Sequence, residues 1–301
     1  MLLRRVGSPL AWEKFLLVFY VLLASSNEQS NSNQLHFGKA VSVKLSHNVI
    51  GEGQTLVILH GLFGSKRNWS SIARQLSDRF RVLTVDLRNH GESPWNGVHD
   101  YPSMAEDVAT LIEQECSEPA LVLGHSMGGK VAMYLSLMWP HLVDRLIVVD
   151  IPPARSTGTP IDYVRAMQAI PLTTLAHRRD VEELLSETIP DERVRGFLVT
   201  NIITRPEGLA WAVNLDVIEK NFETILDWPD LITTQHFSQQ TLFLVGENST
   251  FVGPEHETVI QQFFPASSRQ VIKNAGHWVH VENTAAFLKA VRVFLETEPC
   301  H

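Results

Sequence analysis

Five short apolar runs constrain this 301-residue chain more than any other feature. "TLVILHG" (55–61), "RVLTVDL" (81–87), "ALVLGHS" (120–126), "RLIVVDI" (145–151) and "TLFLVGE" (241–247) each read as a strand buried on both faces. Between them, 68–77, 102–116 and 128–139 show helical spacing. Repeated strand–helix units predict an α/β fold with a mostly parallel central sheet, flanked by helices and joined by right-handed crossovers. Opening strands are expected within 37–50, a last strand at "QVIKNAG" (270–276) and a closing helix at 282–296.

The alternation stops between about 153 and 238. After the breaker-rich "PPARSTGTP" come helix-like stretches such as "RDVEELLSETI", "DERVRGFLVTNI" and "LDVIEKNFETILDW". This span reads as a helical cap inserted over the carboxyl ends of the strands, where open α/β sheets bind ligands. Residues 35–301 thus form one domain, and residues 1–34 a targeting or anchor segment with a polar tether. The ten apolar residues from Phe15 to Ala24 are too few for a comfortable membrane span, which needs roughly 20. They fit a secretory signal or short anchor, whereas Arg4, Arg5 and the scarcity of acids fit a mitochondrial presequence. Two sequons, at Asn68 and Asn248, are open to glycosylation in the secretory path. A glycan on the turn holding Asn248 would crowd an active site there, which favours a compartment without N-glycosylation.

A net charge of −8 argues against a nucleic-acid surface. Cys116 and Cys300 give no disulfide framework, and no Cys/His spacing suggests zinc.

The chemistry is carried by three motifs. "GHSMG" (124–128) follows a buried strand and precedes a helix, the context of a nucleophile elbow: its turn admits only small neighbours and lifts the Ser126 hydroxyl clear of the sheet. Gly124 and Gly128 are its small supports. "HGLFGS" (60–65) is placed to offer a backbone N–H to a developing oxyanion; Leu62, with Phe63 as second choice, is expected to act beside Met127. "NAGHWVH" supplies His277 as general base. His60 and His125 read as supports, His280 as an ordinary helix-face residue, and Lys130 as a helix-surface lysine, since no phosphate-loop spacing surrounds it. Trp211, Phe251, Trp278 and Phe63 read equally as an acyl pocket or as core.

Together with "DLRNHGES" (86–93), these motifs resemble the α/β-hydrolase superfamily, over roughly residues 37–297. "HGLFGSKRNW", "DLRNHGESP", "GHSMGGKVAM", "VVDIPP", "WAVNLD" and "GENSTFV…NAGHWVH" narrow the likeness to the branch of abhydrolase domain-containing protein 11 and the bacterial YbfF-type esterases. The resemblance implies an esterase or lipase acting on acyl esters or glycerolipids. For the animal members it implies a mitochondrial, sn-1-specific diacylglycerol lipase, and with a lipid substrate it brings contact with a membrane surface. No protein partner can be read.

Many superfamily members carry an aspartate three residues after the glycine that ends the penultimate strand; "GENS" puts Ser249 there. A hydroxyl can accept from an imidazole N–H but cannot neutralise an imidazolium, so a carboxylate elsewhere should substitute. Asp150 is the first candidate, at the end of the strand after the nucleophile helix, where "IPP" turns the chain away. The resemblance to the YbfF-type esterases points to the same position, with the serine assisting. Its bland reading is a loop cap. Asp216 in "WAVNLDVI" is second, able to descend from the cap or simply to cap a helix; Glu247 is third.

The expected reaction is ester cleavage through an acyl-enzyme, with no metal or organic cofactor. A serine at the elbow excludes chemistry that needs an aspartate nucleophile. A thioesterase or acyl-protein hydrolase would use the same machinery, and a non-catalytic partner-binding protein is the rival from another class.

Overall fold

The computed structural model describes residues 42–156, 161–231 and 234–296. The expected segment 1–34, the first part of 37–50 and Cys300 lie outside the described residues.

In chain order, β1 (His47–Ile50), β2 (Thr55–Leu59), α1 (Ser70–Leu76), β3 (Arg81–Val85), α2 (Tyr101–Glu115), β4 (Ala120–His125), α3 (Met127–Met138) and β5 (Val143–Val149) form the first part. The cap follows, with α4 (Asp162–Ala169), α5 (Arg178–Leu185), α6 (Glu192–Leu198), β6 (Ile202–Arg205), β7 (Gly208–Trp211), α7 (Leu215–Lys220) and α8 (Phe222–Leu226). Then β8 (Thr241–Gly246), α9 (Glu257–Phe263), β9 (Ser267–Ile272), α10 (Val279–Glu282) and α11 (Thr284–Glu296) return to the sheet. The strand order is β1-β3-β2-β4-β5-β8-β9; only β1 runs antiparallel to its neighbour.

Side chains alternate across each strand, and both faces are covered. Leu56 and Ile58 of β2 join Trp69, Leu76 and Phe287 in one layer. Val57 and Leu59 join Met104, Val108, Val131 and Leu135 in the other. Each such burial contributes about 1.5–3 kcal/mol, which is why the strands carry no polar alternation. In parallel strands the carboxyl ends lie on one edge, so the loops after β2, β4, β5, β8 and β9 converge there.

The cap is not all helical. β6 and β7 pair as a hairpin, with Ile202 opposite Trp211 and Arg205 opposite Gly208. β-Branched Ile202, Ile203 and Thr204 favour extended backbone, and Gly208 supplies the left-handed φ of 124° that closes the turn. The cap is tied down by polar contacts to the sheet side. Asn214 N–H donates to Asn89 C=O at 2.9 Å, and Asn214 Nδ2 to Asn89 Oδ1 at 3.1 Å.

Lys130 corrects the sequence expectation of a surface lysine. It is fully buried, and its Nζ donates to the Leu226 and Asp227 carbonyls at 2.8 and 2.9 Å. It lies one helical turn beyond Ser126, on a face of α3 that the returning end of the cap covers. Those carbonyls end α8, where backbone acceptors lack helical partners and attract a cation.

Candidate active site

Ser126 joins β4 to α3 with φ 52° and ψ −120°. Non-glycine residues keep such backbone only where their surroundings fix it. Here the Ser126 N–H donates to Val149 C=O at 3.0 Å, and its C=O accepts from Gly129 and Lys130 N–H at 2.8 and 3.1 Å. A Cβ on Gly124 would stand 2.1 Å from the Gly128 oxygen, and one on Gly128 would stand 2.5 Å from the His60 oxygen. The glycine spacing is therefore a packing requirement where β2, β4 and α3 meet.

His277 enters from the loop after β9. Its Nε2 lies 3.0 Å from Ser126 Oγ, and its Nδ1 lies 2.8 Å from Asp150 Oδ2. A carboxylate only accepts, so Nδ1–H donates to Asp150 and the Nε2 lone pair faces the serine hydroxyl. Asp150 is fully buried at the end of β5, with a left-handed φ of 55°. Its Oδ1 accepts the Gly246 N–H at 3.1 Å, and Ser249 Oγ–H donates to its Oδ2. Ser249, three residues after Gly246, thus engages Asp150 and not the imidazole.

The other carboxylates are occupied elsewhere. Glu247 is exposed and accepts from Lys273 Nζ at 2.6 Å and from Asn274 N–H at 3.0 Å. Asp216 does not descend over His277. Leu215 and Ile218 bury one side of α7, which turns Asp216 outward, where it is exposed and its Oδ1 accepts from Gln168 Nε2 at 3.0 Å. It lines a surface depression with Trp95 and Trp211, apart from the cavity above Ser126.

Gly61–Gly64 forms a tight turn closed by a 2.9 Å bond from Gly64 N–H to Gly61 C=O, with Phe63 at φ 59°. The Phe63 N–H donates to His90 Nε2 at 3.3 Å, which removes it as an oxyanion donor. Among the described residues the Leu62 and Met127 N–H groups have no protein partner. Met127 begins α3, and the first amides of a helix are free to meet negative charge.

Buried histidines brace these loops. His60 Nδ1–H donates to Gly61 C=O at 2.8 Å while its Nε2 accepts the Leu87 N–H at 3.0 Å. His90 Nδ1–H likewise donates to Arg88 C=O at 3.1 Å. Burial lowers the basicity of both, most strongly at His90, so each ring stays neutral and keeps the lone pair that its partner needs. His125 Nε2–H holds the His277 C=O at 2.9 Å, and burial, with His277 beside it, keeps His125 well below the usual imidazole range. His280 is not an ordinary helix-face residue. It is buried, stacks on Trp69 at 4.1 Å between ring centroids, and burial pulls it down to about 3. It lies in α10, just after the loop that carries His277, and its ring also packs edge-on against His125 at 5.0 Å.

Above Ser126 lies a cavity of about 180 Å³. Phe63, Phe251 and Trp278 line it, joined by Tyr163, Val194, Phe197 and Leu198 of the cap, which had no local sequence signal. Phe251 stacks on the His277 ring at 3.9 Å. Trp211 lies elsewhere, its Nε1 donating to Met167 C=O at 3.1 Å. Asn68, the first sequon, lines the same cavity, with its Oδ1 accepting the Ser65 N–H at 2.7 Å. Among the described residues no group of three or more His, Cys, Asp or Glu could hold a metal ion.

Comparison with known proteins identifies relatives with the same fold. A family model for the alpha/beta hydrolase fold matches residues 54–284. The mouse sn-1-specific diacylglycerol lipase ABHD11 is 40% identical over 262 residues, covering 83% of this chain and 85% of its own length. Esterase YbfF of Escherichia coli is 32% identical over 241 residues, covering 80% of this chain and 92% of its own. Among solved structures, a marine microorganism esterase superposes with a TM-score of 0.81 at 36% identity, covering 84% of this chain and all of that one. From strand order, elbow and match alike, the chain belongs to the α/β-hydrolase family.

Proposed function

We propose that Ser126, His277 and Asp150 act as nucleophile, general base and acid of a catalytic triad, and that the chain cleaves lipid esters through an acyl-enzyme. The chain is a carboxylic-ester hydrolase of the esterase and lipase kind, as are the relatives it matches over four-fifths of its length. One observation carries the mechanistic reading: an unbroken hydrogen-bonded line from Asp150 Oδ2 through both ring nitrogens of His277 to Ser126 Oγ, at 2.8 and 3.0 Å.

As Ser126 Oγ attacks the ester carbonyl, its proton passes to His277 Nε2. The carbonyl oxygen becomes an oxyanion held by the Leu62 and Met127 N–H groups. The imidazolium is stabilised by Asp150, whose charge is oriented by Ser249 and Gly246. It then protonates the departing alkoxide, and the C–O bond breaks. His277 next takes a proton from water, whose oxygen attacks the acyl-serine; the bond to Ser126 Oγ then breaks, His277 returns the proton to Oγ, and the acid leaves.

The substrate we infer is a glycerolipid ester with its acyl chain against Phe197, Leu198 and Trp278. The naming of relatives as diacylglycerol lipases supports this reading. A mitochondrial location is part of the same proposal. It rests on the resemblance and on Arg4 and Arg5; among the described residues no helix is long and apolar enough to cross a membrane.

The test is release of fatty acid from diacylglycerol and of p-nitrophenol from p-nitrophenyl butyrate, beside Ser126→Ala. Turnover by the parent alone supports an enzyme. A parent no faster than Ser126→Ala on every ester would favour the partner-binding reading.

A further inference from the structure

The oxyanion turn is gripped from two directions by groups that take no part in the reaction steps. From the sheet side, His90 Nε2 accepts the Phe63 N–H at 3.3 Å. From the cap side, Asn201 Nδ2 donates to the Phe63 C=O at 2.7 Å, across 138 positions of sequence. The same Nδ2 also donates to the Leu198 C=O at 3.2 Å. Asn201 is buried, and its own C=O accepts the Ala212 N–H at 2.7 Å, which ties it to the hairpin of the cap.

This connectivity has a mechanical consequence. Leu198 ends α6, and Val194, Phe197 and Leu198 of that helix form part of the apolar wall above Ser126. One amide group therefore bridges the wall that an acyl chain would touch and the turn that carries the Leu62 N–H. Phe63 holds a left-handed φ of 59°, a conformation that persists only when neighbouring groups fix it. With both its N–H and its C=O engaged, the turn has little freedom to rotate the Leu62 amide away from Ser126.

We propose that Asn201 is a positioning residue that couples acyl-chain contact in the cap to the geometry of the oxyanion hole. The proposal rests on the reading of Leu62 as an oxyanion donor. An acyl chain packed against Phe197 and Leu198 stabilises the α6 position in which Asn201 reaches Phe63. Contact energy from a non-reacting part of the substrate is thereby expressed at the reacting centre, as a higher kcat and not only a lower KM.

The experiment compares kcat and KM of the full chain on p-nitrophenyl acetate, butyrate and octanoate with those of Asn201→Asp, which keeps the shape and removes the donor. Asn201→Ala is measured alongside, in case the added charge prevents folding. Asn221→Ala serves as control: it removes a 2.8 Å cap bond from Asn221 Nδ2 to Val217 C=O that touches neither Phe63 nor α6. Thermal melting checks each fold. The Asn201 variants should lose about 10- to 100-fold in kcat, as a displaced reacting group does, with KM on the acetate ester close to that of the parent. Their gain in kcat from acetate to octanoate should shrink, while Asn221→Ala keeps the parent's pattern. Parent-like kcat in a folded Asn201 variant, a rise in KM alone, or an equal loss of kcat in Asn221→Ala would overturn the coupling. A parent no faster than Ser126→Ala removes the proposed function, and the coupling with it; turnover with an unchanged chain-length pattern removes the coupling alone.

Discussion

The strand ends and the cap are built by different means. At the strand ends, buried polar groups meet partners from other loops: Asp150 from β5 meets His277, Ser249 and Gly246, and His125 from β4 meets the His277 carbonyl. Arg88 and Asp107, both fully buried, form a two-pronged pair at 2.6 and 2.8 Å that anchors the loop after β3. A buried pair of this kind cannot lose one member without stranding the other's charge. The cap is held in part by exposed ion pairs, such as Arg165–Glu219 at 3.2 Å and Arg155–Glu223 at 2.5 Å. Surface pairs contribute roughly 0–1 kcal/mol each. What the cap gives the site is mainly apolar wall. The triad thus belongs to the edge of the sheet, whereas the cap supplies the acyl-chain wall and, through Asn201, one grip on the oxyanion turn.

That division is sharpened by substitutions on each side. Ser126→Ala should reduce ester turnover by about 10⁶-fold, the scale on which a nucleophilic serine acts, with little change in urea midpoint. A residual rate within tenfold of the parent would move the chemistry away from the elbow. Phe197→Ala, on the cap side, removes an aromatic wall whose burial is worth about 1.5–3 kcal/mol. It should cost roughly 10- to 100-fold in kcat/KM on p-nitrophenyl octanoate and little on the acetate. Equal losses on both esters would show that Phe197 does more than contact the acyl chain.

The smallest effect concerns the seam between the regions. Burial pulls the Lys130 ammonium down to about 7, against roughly 10.4 in an unfolded chain. Between those values the native state binds fewer protons than the unfolded one, so stability should rise with pH from about 7 to about 10. Below about 7 both states are charged and the burial cost is constant. Urea midpoints at pH 7 and pH 9, for the parent beside Lys130→Met, should show that rise in the parent alone. Parallel shifts in both chains would mean that Lys130 does not titrate there.

What could be read from the sequence follows the same line. The strands at 55–59, 81–85, 120–125, 143–149 and 241–246 and the elbow at Ser126 are local features, set by apolar runs and by the close approach of Gly124 to Gly128. The position of Asp150 was legible because every strand end on that edge faces one crevice. Lys130, His280 and Asn201 were not. Lys130 meets carbonyls 96 and 97 residues away, and Asn201 meets Phe63 across 138 residues. His280 owes its burial to Trp69, which arrives from the other end of the chain. No local period encodes such meetings. The cap hairpin was hidden by helix-like flanks on both sides of "IITRPEGLAW".

The most direct test is the kcat of Asp150→Asn beside Asp216→Asn on p-nitrophenyl butyrate. Asp150→Asn should fall by about 10⁴-fold, as when a triad aspartate becomes asparagine and the imidazole loses its anionic partner. Asp216→Asn should stay near the parent, because that carboxylate is exposed and hydrogen-bonded to Gln168. A collapse of Asp216→Asn with Asp150→Asn left active would contradict a triad built on the sheet edge and move the acid into the cap.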